Sequence, residues 1–408
     1  MTESQSRQLN VVCLASYFKG AEFIEECKKQ GCRVILVTKE KLLREEWPRE
    51  SLDEIIAVPN DASPELFIHT VSQVARRMKL DRIVALEEFD VLTAALIREH
   101  LRIPGMGSTT ARHFRDKLAM RVQARDAGVP VPDFVHVLNY DELAEYMRRV
   151  PPPWVMKPRS DVSAIGIKKM HDSEQVWRTI DILDARPALT ERSSYYLLEK
   201  YVAGDVYHVD SLVENSQVVF AGTNRYGRPP MNVAHDGGVF VTYTLEHDSD
   251  DRKALLEENI NLIKGLGLVR GATHAEFIKS TEDGKFYFLE IAARVGGAYI
   301  AETLEAATGV NIWREWATIE LNRGEHPYTL VPERDEYAGI ALSLAKQEFP
   351  DTSAYTDPEI IYRVKRSHHV GLIVHSPNYD RVQELLGQYV KRIEHDFSAV
   401  HPVPERAE

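Results

Sequence analysis

The segment GATHAEFIKSTEDGKFYFLEIAARVGG, Gly271 to Gly297, holds two runs rich in β-branched, aromatic and alternating apolar residues around an Asp-Gly pair. Gly271 to Ser280 and Lys285 to Ile291 read as the strands of a hairpin, with Glu282-Asp283-Gly284 as a three-residue loop whose glycine takes the left-handed position. An odd loop sets the register so that residues whose numbers have the same sum face each other. Glu276 then lies opposite Glu290, and His274 opposite Ala292, on one face. Like charges directly opposed destabilise a sheet, and a divalent ion held by oxygen turns that repulsion into a binding site. Mg²⁺ takes one or two protein carboxylates and keeps water and substrate phosphates for its other positions. The pair therefore points to an enzyme acting on a nucleotide. A hairpin whose two acids face water is the competing reading.

The bulk of the chain suits that class. Its 408 residues call for two or three domains, and an apolar fraction of 44% is ordinary for a globular protein. Acidic residues outnumber basic ones, 62 to 50, which argues against a general grip on nucleic acid or an anionic membrane and favours small-molecule partners. The polar start, Met1 to Asn10, lacks an apolar signal core, and no apolar run is long enough to span a bilayer, so a cytoplasmic location is expected. Cys13, Cys27 and Cys32 have neither zinc-site spacing nor an even count, and reduced buried thiols are the expectation.

Along the chain, Leu9 to Ala15, Gly20 to Gln30 and Cys32 to Val37 read as strand, helix and strand. Glu65 to Met78 adds an amphipathic helix, Arg82 to Leu86 a buried strand, and Asp90 to His100 another helix, giving a parallel sheet with its crevice at the strand carboxyl ends. Phe18-Lys19-Gly20 holds one glycine where a dinucleotide fingerprint needs three. After the Pro-Gly link Ile103 to Gly107 a helix carries Asp116-Lys117, ended by Gly128-Val129-Pro130-Val131-Pro132. Strands are expected at Trp154 to Lys157, Ile165 to Met170, Tyr195 to Glu199, Val206 to Val213 and Gln217 to Thr223, with a helix from Arg252 to Leu266. Gly296-Gly297 opens a helix toward Thr308, followed by one at Ile312 to Asn322. Strands near Tyr337 to Leu344 and His369 to His375, with a helix from Arg381 to Ile393, complete the chain.

The order of these pieces, a βαβ lobe, then Asp116-Lys117, Lys157, Glu199-Lys200-Tyr201-Val202, Glu276 and Glu290, resembles the ATP-grasp superfamily over most of the chain. The resemblance implies α/β and α+β architecture: a βαβ parallel-sheet domain over residues 1–113, a two-lobed ATP-grasp region over 114–325 (small lobe to about 200, large lobe beyond), and a small α+β module over 326–408. It implies ATP with Mg²⁺, or Mn²⁺ in its place, held by Glu276 and Glu290, and it sets Lys117 and Lys157 on the phosphates. Lys157 ends a strand whose other residues are apolar, which lowers the local dielectric around its charge. The loop Arg159 to Gly166 corresponds to the family's phosphate-covering loop, with Ser163 as a contact, but lacks a glycine run. Glu199, Lys200 and Val202 would meet the adenine edge, Glu199 accepting from its exocyclic amine, and Asp205 or His208 the ribose.

Glu290 to Arg294 resembles the family's Glu-x-Asn-x-Arg signature, but Ala292 stands at the asparagine, so the number of metal ions held is open. A subset of amino-acid-ligating relatives shows a similar Glu-Ile-Ala-x-Arg run followed by Gly-Gly. Arg294 is the chief catalytic candidate beside Lys157, because a guanidinium can stabilise an acyl phosphate and its tetrahedral adduct. The amides of Gly296 and Gly297 at a helix start would bind a substrate carboxylate. Arg225, Arg228, His235 and Asp236-Gly237-Gly238 sit in a polar loop suited to lining a substrate pocket, and His274 points toward the metal side.

The implied activity is ATP-dependent carboxylate–amine ligation through an acyl phosphate, with amino acids as substrates and a small-molecule carboxylate and amine as partners. Homodimers are common among similar proteins. A carboxylase resembling biotin carboxylase is the rival enzyme, although Val295-Gly296-Gly297-Ala298-Tyr299 replaces the Gln-Val-Glu-His stretch of those enzymes. A non-catalytic ATP-binding regulator is the rival from another class.

Overall fold

The computed structural model describes residues 7–160, 166–229, 237–324 and 327–399. The first sheet is built from β1 (Asn10–Ala15), β2 (Arg33–Lys39), β3 (Glu54–Val58) and β4 (Arg82–Ala85), parallel and in the order β3-β2-β1-β4. Helices α1 (Ala21–Lys29) and α2 (Pro64–Ala75) make crossovers, and α3 (Val91–Leu101) follows β4. β3 is an additional strand that periodicity did not pick out. It is a part-exposed edge strand whose apolar run, Ile55 to Val58, is short and does not alternate.

After α4 (Ser108–Arg112) and α5 (Lys117–Asp126), a small antiparallel sheet takes the order β5-β8-β6-β7. Its strands are β5 (Phe134–His136), β6 (Trp154–Pro158), β7 (Lys168–Met170) and β8 (Tyr196–Lys200), covered by α6 (Tyr140–Arg149) and α7 (Ser173–Asp184). Ile165, expected to start β7, lies outside the described residues.

The largest sheet is antiparallel and has the order β13-β12-β9-β10-β11-β14-β16-β15. It comprises β9 (Gly204–Glu214), β10 (Gln217–Tyr226), β11 (Phe240–Thr244), β12 (Gly271–Ser280), β13 (Phe286–Ala292), β14 (Tyr337–Leu344), β15 (Ile360–Arg363) and β16 (His369–Ser376). The last three strands join it through the β11–β14 pairing, so the C-terminal segment extends this sheet. Alternation along β9 separates the two faces. Tyr207, Val209 and Val213 pack with α8 (Asp250–Leu266), whereas Leu212 packs with α9 (Ile300–Thr308), α10 (Ile312–Leu321) and the first sheet. α11 (Tyr379–Asp396) covers the C-terminal strands. Among the described residues no helix is long and apolar enough to cross a membrane. The three cysteines are free and buried, and burial pushes the thiols of Cys13, Cys27 and Cys32 up.

Candidate active site between the lobes

Glu276 pairs with Glu290, and His274 with Ala292, as expected. The turn differs from the expected one. Ser280 N donates to Lys285 O at 2.9 Å and Gly284 N to Ser280 O at 2.9 Å, so the loop runs over four residues, Thr281 to Gly284. Near it Phe277 faces Phe288, and an extra residue, Leu289, restores the Glu276–Glu290 pairing through a β-bulge. The bulge leaves the carboxylates opposed and gives Leu289 to an apolar cluster of Val202, Val206, Tyr226 and Ile278.

Each carboxylate has a distinct partner. Tyr226 donates its hydroxyl to Glu276 Oε1 at 2.7 Å, and Lys117 Nζ lies 2.9 Å from Glu290 Oε2. Burial alone would raise the Glu290 pKa, but Lys117 first, then Lys157 and Arg121, outweigh it and lower it to about 2. Two acids on adjacent strands, with Glu290's side chain 36% exposed, make an oxygen donor set that fits Mg²⁺.

The lysines are delivered by local structure. Asp116 caps α5 by accepting from Leu118 N (3.0 Å) and Ala119 N (3.4 Å) and also accepts from Arg159 Nε at 3.0 Å. Lys117 N donates to Arg159 O at 2.7 Å, which ties the first residue of α5 to the end of β6. Lys157 is buried and ion-paired with Glu199, which also accepts from Arg121 Nε at 3.1 Å. Burial lowers the Lys157 pKa, and Glu199 works against that. In Glu199 burial is outweighed by Arg121 and Lys157, which lower its pKa. The Glu199 carboxylate, expected at the adenine edge, is enclosed by these two cations and holds the Lys157 ammonium.

Behind Glu276 runs a buried relay. Asp210 accepts from His208 Nδ1 at 2.6 Å and from His274 Nδ1 at 2.9 Å, and His274 Nε2 lies 3.5 Å from Glu276 Oε1. Burial would lower the His274 pKa, but Asp210 and Glu276 outweigh it and raise it to about 9. Burial dominates in His208 and lowers its pKa despite Asp210, so one imidazole is neutral and the other cationic. For Asp210, His274 and His208 outweigh burial and hold the carboxyl well below the usual carboxylate range.

Arg294 faces the first sheet. Its Nε is 3.1 Å from Glu88 Oε2, while Arg115 Nη1 lies 3.3 Å from Glu88 Oε1 and Lys19 Nζ 3.3 Å from Glu87 Oε1. Burial would lower the Arg294 pKa, but Glu88 and Glu87 raise it, so its charge is permanent. Asp90 accepts from Ser16 N and Ser16 Oγ at 2.6 and 2.7 Å, joining β1 to the turn that carries Glu87 and Glu88.

Several expected site residues lie elsewhere. His208 is 0% exposed, and its Nε2 is 2.7 Å from Thr242 Oγ1, so neither ring nitrogen is open to a ribose. Arg225 and Asp205 pair at 2.7 Å. Arg225 lies over Tyr207 on the α8 face, opposite to the face that Tyr226 and Glu276 share, because neighbouring strand residues point to opposite sides. Lys200 reaches Glu282 at 3.1 Å, and its amide donates to Asp133 O at 2.8 Å. The helix after Gly296-Gly297 starts only at Ile300, behind Ala298 (φ 52°) and Tyr299 (φ 61°), so the glycines are not its N-terminus. A Cβ on Gly296 would lie 2.5 Å from Asp210 Oδ1, which explains the glycine by close approach. Ser163 and His235 lie outside the described residues.

The structure also supplies residues that the sequence did not single out: Tyr226, Asp210, Arg121, Leu289, Glu87 and Glu88. Alternation on β9 and β10 could have flagged Asp210 and Tyr226. Nothing local points to Glu88, whose role depends on packing of the first sheet against Arg294.

Residues 150–302 match the ATP-grasp domain family, and residues 24–105 match the ATP-grasp N-terminal domain family. The L-arginine-specific L-amino acid ligase of Bacillus subtilis is 24% identical over 244 residues, 60% of this chain and 58% of that protein. The chain thus spans less than two thirds of the length of this curated relative. A crystal structure of L-amino acid ligase from Bacillus licheniformis superposes with a TM-score of 0.73 at 16% identity, covering 97% of this chain and 100% of that one. The biotin carboxylase of Campylobacter jejuni gives 0.69 at 14% identity, covering 96% and 92%. At such identities these two likenesses establish the fold.

Proposed function

Because the chain belongs to the ATP-grasp superfamily, we propose that it is an ATP-dependent ligase that joins a small carboxylate, an amino acid, to an amine. The observation that carries this reading is the pairing of Lys117, from α5, with the carboxylate of Glu290 from the large sheet, with the charge of Lys157, held by Glu199 on the small sheet, also acting on Glu290. A triphosphate entering this cleft exchanges with Glu290 for Lys117, while Lys157 stays oriented by Glu199. The cluster of Val202, Val206, Ile278 and Leu289 offers an apolar bed for the base. Glu276 and Glu290 would hold Mg²⁺, which neutralises phosphate charge when bound.

In the proposed reaction a carboxylate oxygen attacks the γ-phosphorus and the bond to ADP breaks, leaving an acyl phosphate. The amine nitrogen then attacks the acyl carbon, the C–N bond forms and phosphate departs. Arg294, permanently charged and partly shielded from water, stabilises the negative charge that builds at both stages. His274 is cationic and bonded to Asp210, so it positions Glu276 rather than acting as a general base. Positioning and charge neutralisation carry such chemistry, which is why no nucleophilic side chain is required.

The test is a phosphate-release screen over pairs of amino acids and small amines, with mass spectrometry of the products. Release that needs both an amino acid and an amine, and falls at least about 100-fold in Lys157→Ala and Glu290→Ala, is expected. Unchanged ATP turnover in either variant removes the assigned site.

A further inference from the structure

A cavity of ≈ 50 Å³ lies at the far end of β4 from Glu87 and Glu88, where the first sheet meets the start of β12 and α10. Three arginines, Arg82, Arg98 and Arg270, line it together with Glu320. Arg82 donates to the carbonyls of Glu320 (2.6 Å), Asp81 (3.0 Å) and Asn322 (3.4 Å). Arg98, which is 9% exposed, donates to the carbonyls of Met106 (3.0 Å) and Ile83 (2.7 Å). These bonds satisfy N–H donors without supplying a counter-charge. Arg270 has no hydrogen bond or ion pair among the described residues, and the Glu320 carboxylate already accepts from Trp316 Nε1 at 3.2 Å.

Three arginines around one acid make the lining of the cavity net positive, an arrangement that an anion would complete. Burial and the Arg270 charge push the Arg82 guanidinium down, while Glu320 and Asp81 work against them. The planar fork of arginine matches tetrahedral and planar oxyanions. A water needs roughly 10–15 Å³ of such space, so the cavity suits an anion of a few heavy atoms and excludes a nucleotide.

We propose that this cavity is a second anion site, which binds phosphate or the phosphate end of a small monoester through Arg82, Arg98 and Arg270. The bound anion ties the first sheet to β12, the strand that carries His274 and Glu276. The proposal is independent of the activity assigned to the cleft.

Inorganic phosphate and glycerol phosphate are titrated separately into the full chain by calorimetry and thermal shift, at constant ionic strength, against chloride. A non-hydrolysable ATP analogue is kept at saturation to fill the cleft. Saturable binding of either ligand is expected, with affinity falling at least tenfold in Arg270→Gln, partly retained in Arg270→Lys, and unchanged in Lys157→Ala. Arg270 makes no hydrogen bond or ion pair among the described residues, so the Gln variant should fold, and its unchanged affinity for the ATP analogue serves as the control. Absence of saturable binding by both ligands, or binding that Arg270→Gln leaves intact, overturns the proposal. Loss in Lys157→Ala assigns the phosphate to the cleft and overturns it equally.

Discussion

His274 carries the sharpest single-residue consequence. Its folded-state pKa is raised to about 9 from 6.5, with Asp210 and Glu276 outweighing burial. A cationic group with a raised pKa contributes stability that is complete below its unfolded value and lost as pH climbs through the folded one. For His274 that window runs from 6.5 to about 9, and such a shift corresponds to about 3 kcal/mol. The apparent melting temperature of the wild type should therefore fall more steeply across this window than that of His274→Gln. Parallel pH profiles for the two proteins, read by thermal denaturation, would remove the ion pair from the account. The residue was visible in the sequence on the Glu276 face. Its cationic state was not, because Asp210 comes from β9, 64 residues away.

At the scale of elements, the hairpin shows how a correct pairing can arise by another route. The register of a three-residue loop sets Glu276 against Glu290 in the sequence reading, but the structure achieves this pairing with a longer turn and a bulge at Leu289. The bulge adds Leu289 to the apolar bed beside Tyr226. Truncating it removes apolar surface worth roughly 1–2 kcal/mol from a bound base. Leu289→Ala should accordingly raise the KM for ATP about tenfold while leaving kcat close to the wild-type value, as steady-state kinetics at saturating substrates would reveal. A fall in kcat with unchanged KM would instead link Leu289 to the placing of Glu290. The same alternation explains the misplacement of Arg225. The sequence groups it with its polar neighbours, yet on β10 Tyr226 turns toward Glu276 while Arg225 points to the opposite face and pairs with Asp205.

On the scale of the whole molecule, the cleft is completed by the first sheet. Glu88, at the carboxyl end of β4, accepts from both Arg294 and Arg115. Removing it leaves Arg294 charged and held by its Nη1 bond to Val295 O but without its carboxylate partner, and misplacement of a positioned group costs up to about 100-fold in rate. Glu88→Ala should lower kcat by 10- to 100-fold with little change in the affinity for ATP, and Glu88→Gln, whose amide oxygen still accepts, should recover part of the loss. Equal losses of kcat and ATP affinity would mean that Glu88 supports the nucleotide bed and not Arg294.

The sequence by itself determined the parallel first sheet and the two strands of the acidic hairpin, because these rest on local periodicity, while the ordered set of Lys117, Lys157, Glu276 and Glu290 was legible through its resemblance to the ATP-grasp superfamily. Tertiary structure decided the partners: Glu199 on Lys157, Asp210 on His274, Glu88 on Arg294 and the three arginines of the seam cavity. Such pairs join residues far apart in the chain, and which charges meet is set by how sheets stack and which face of a strand is buried. Local spacing carries the face of each residue but not the identity of what lies across from it.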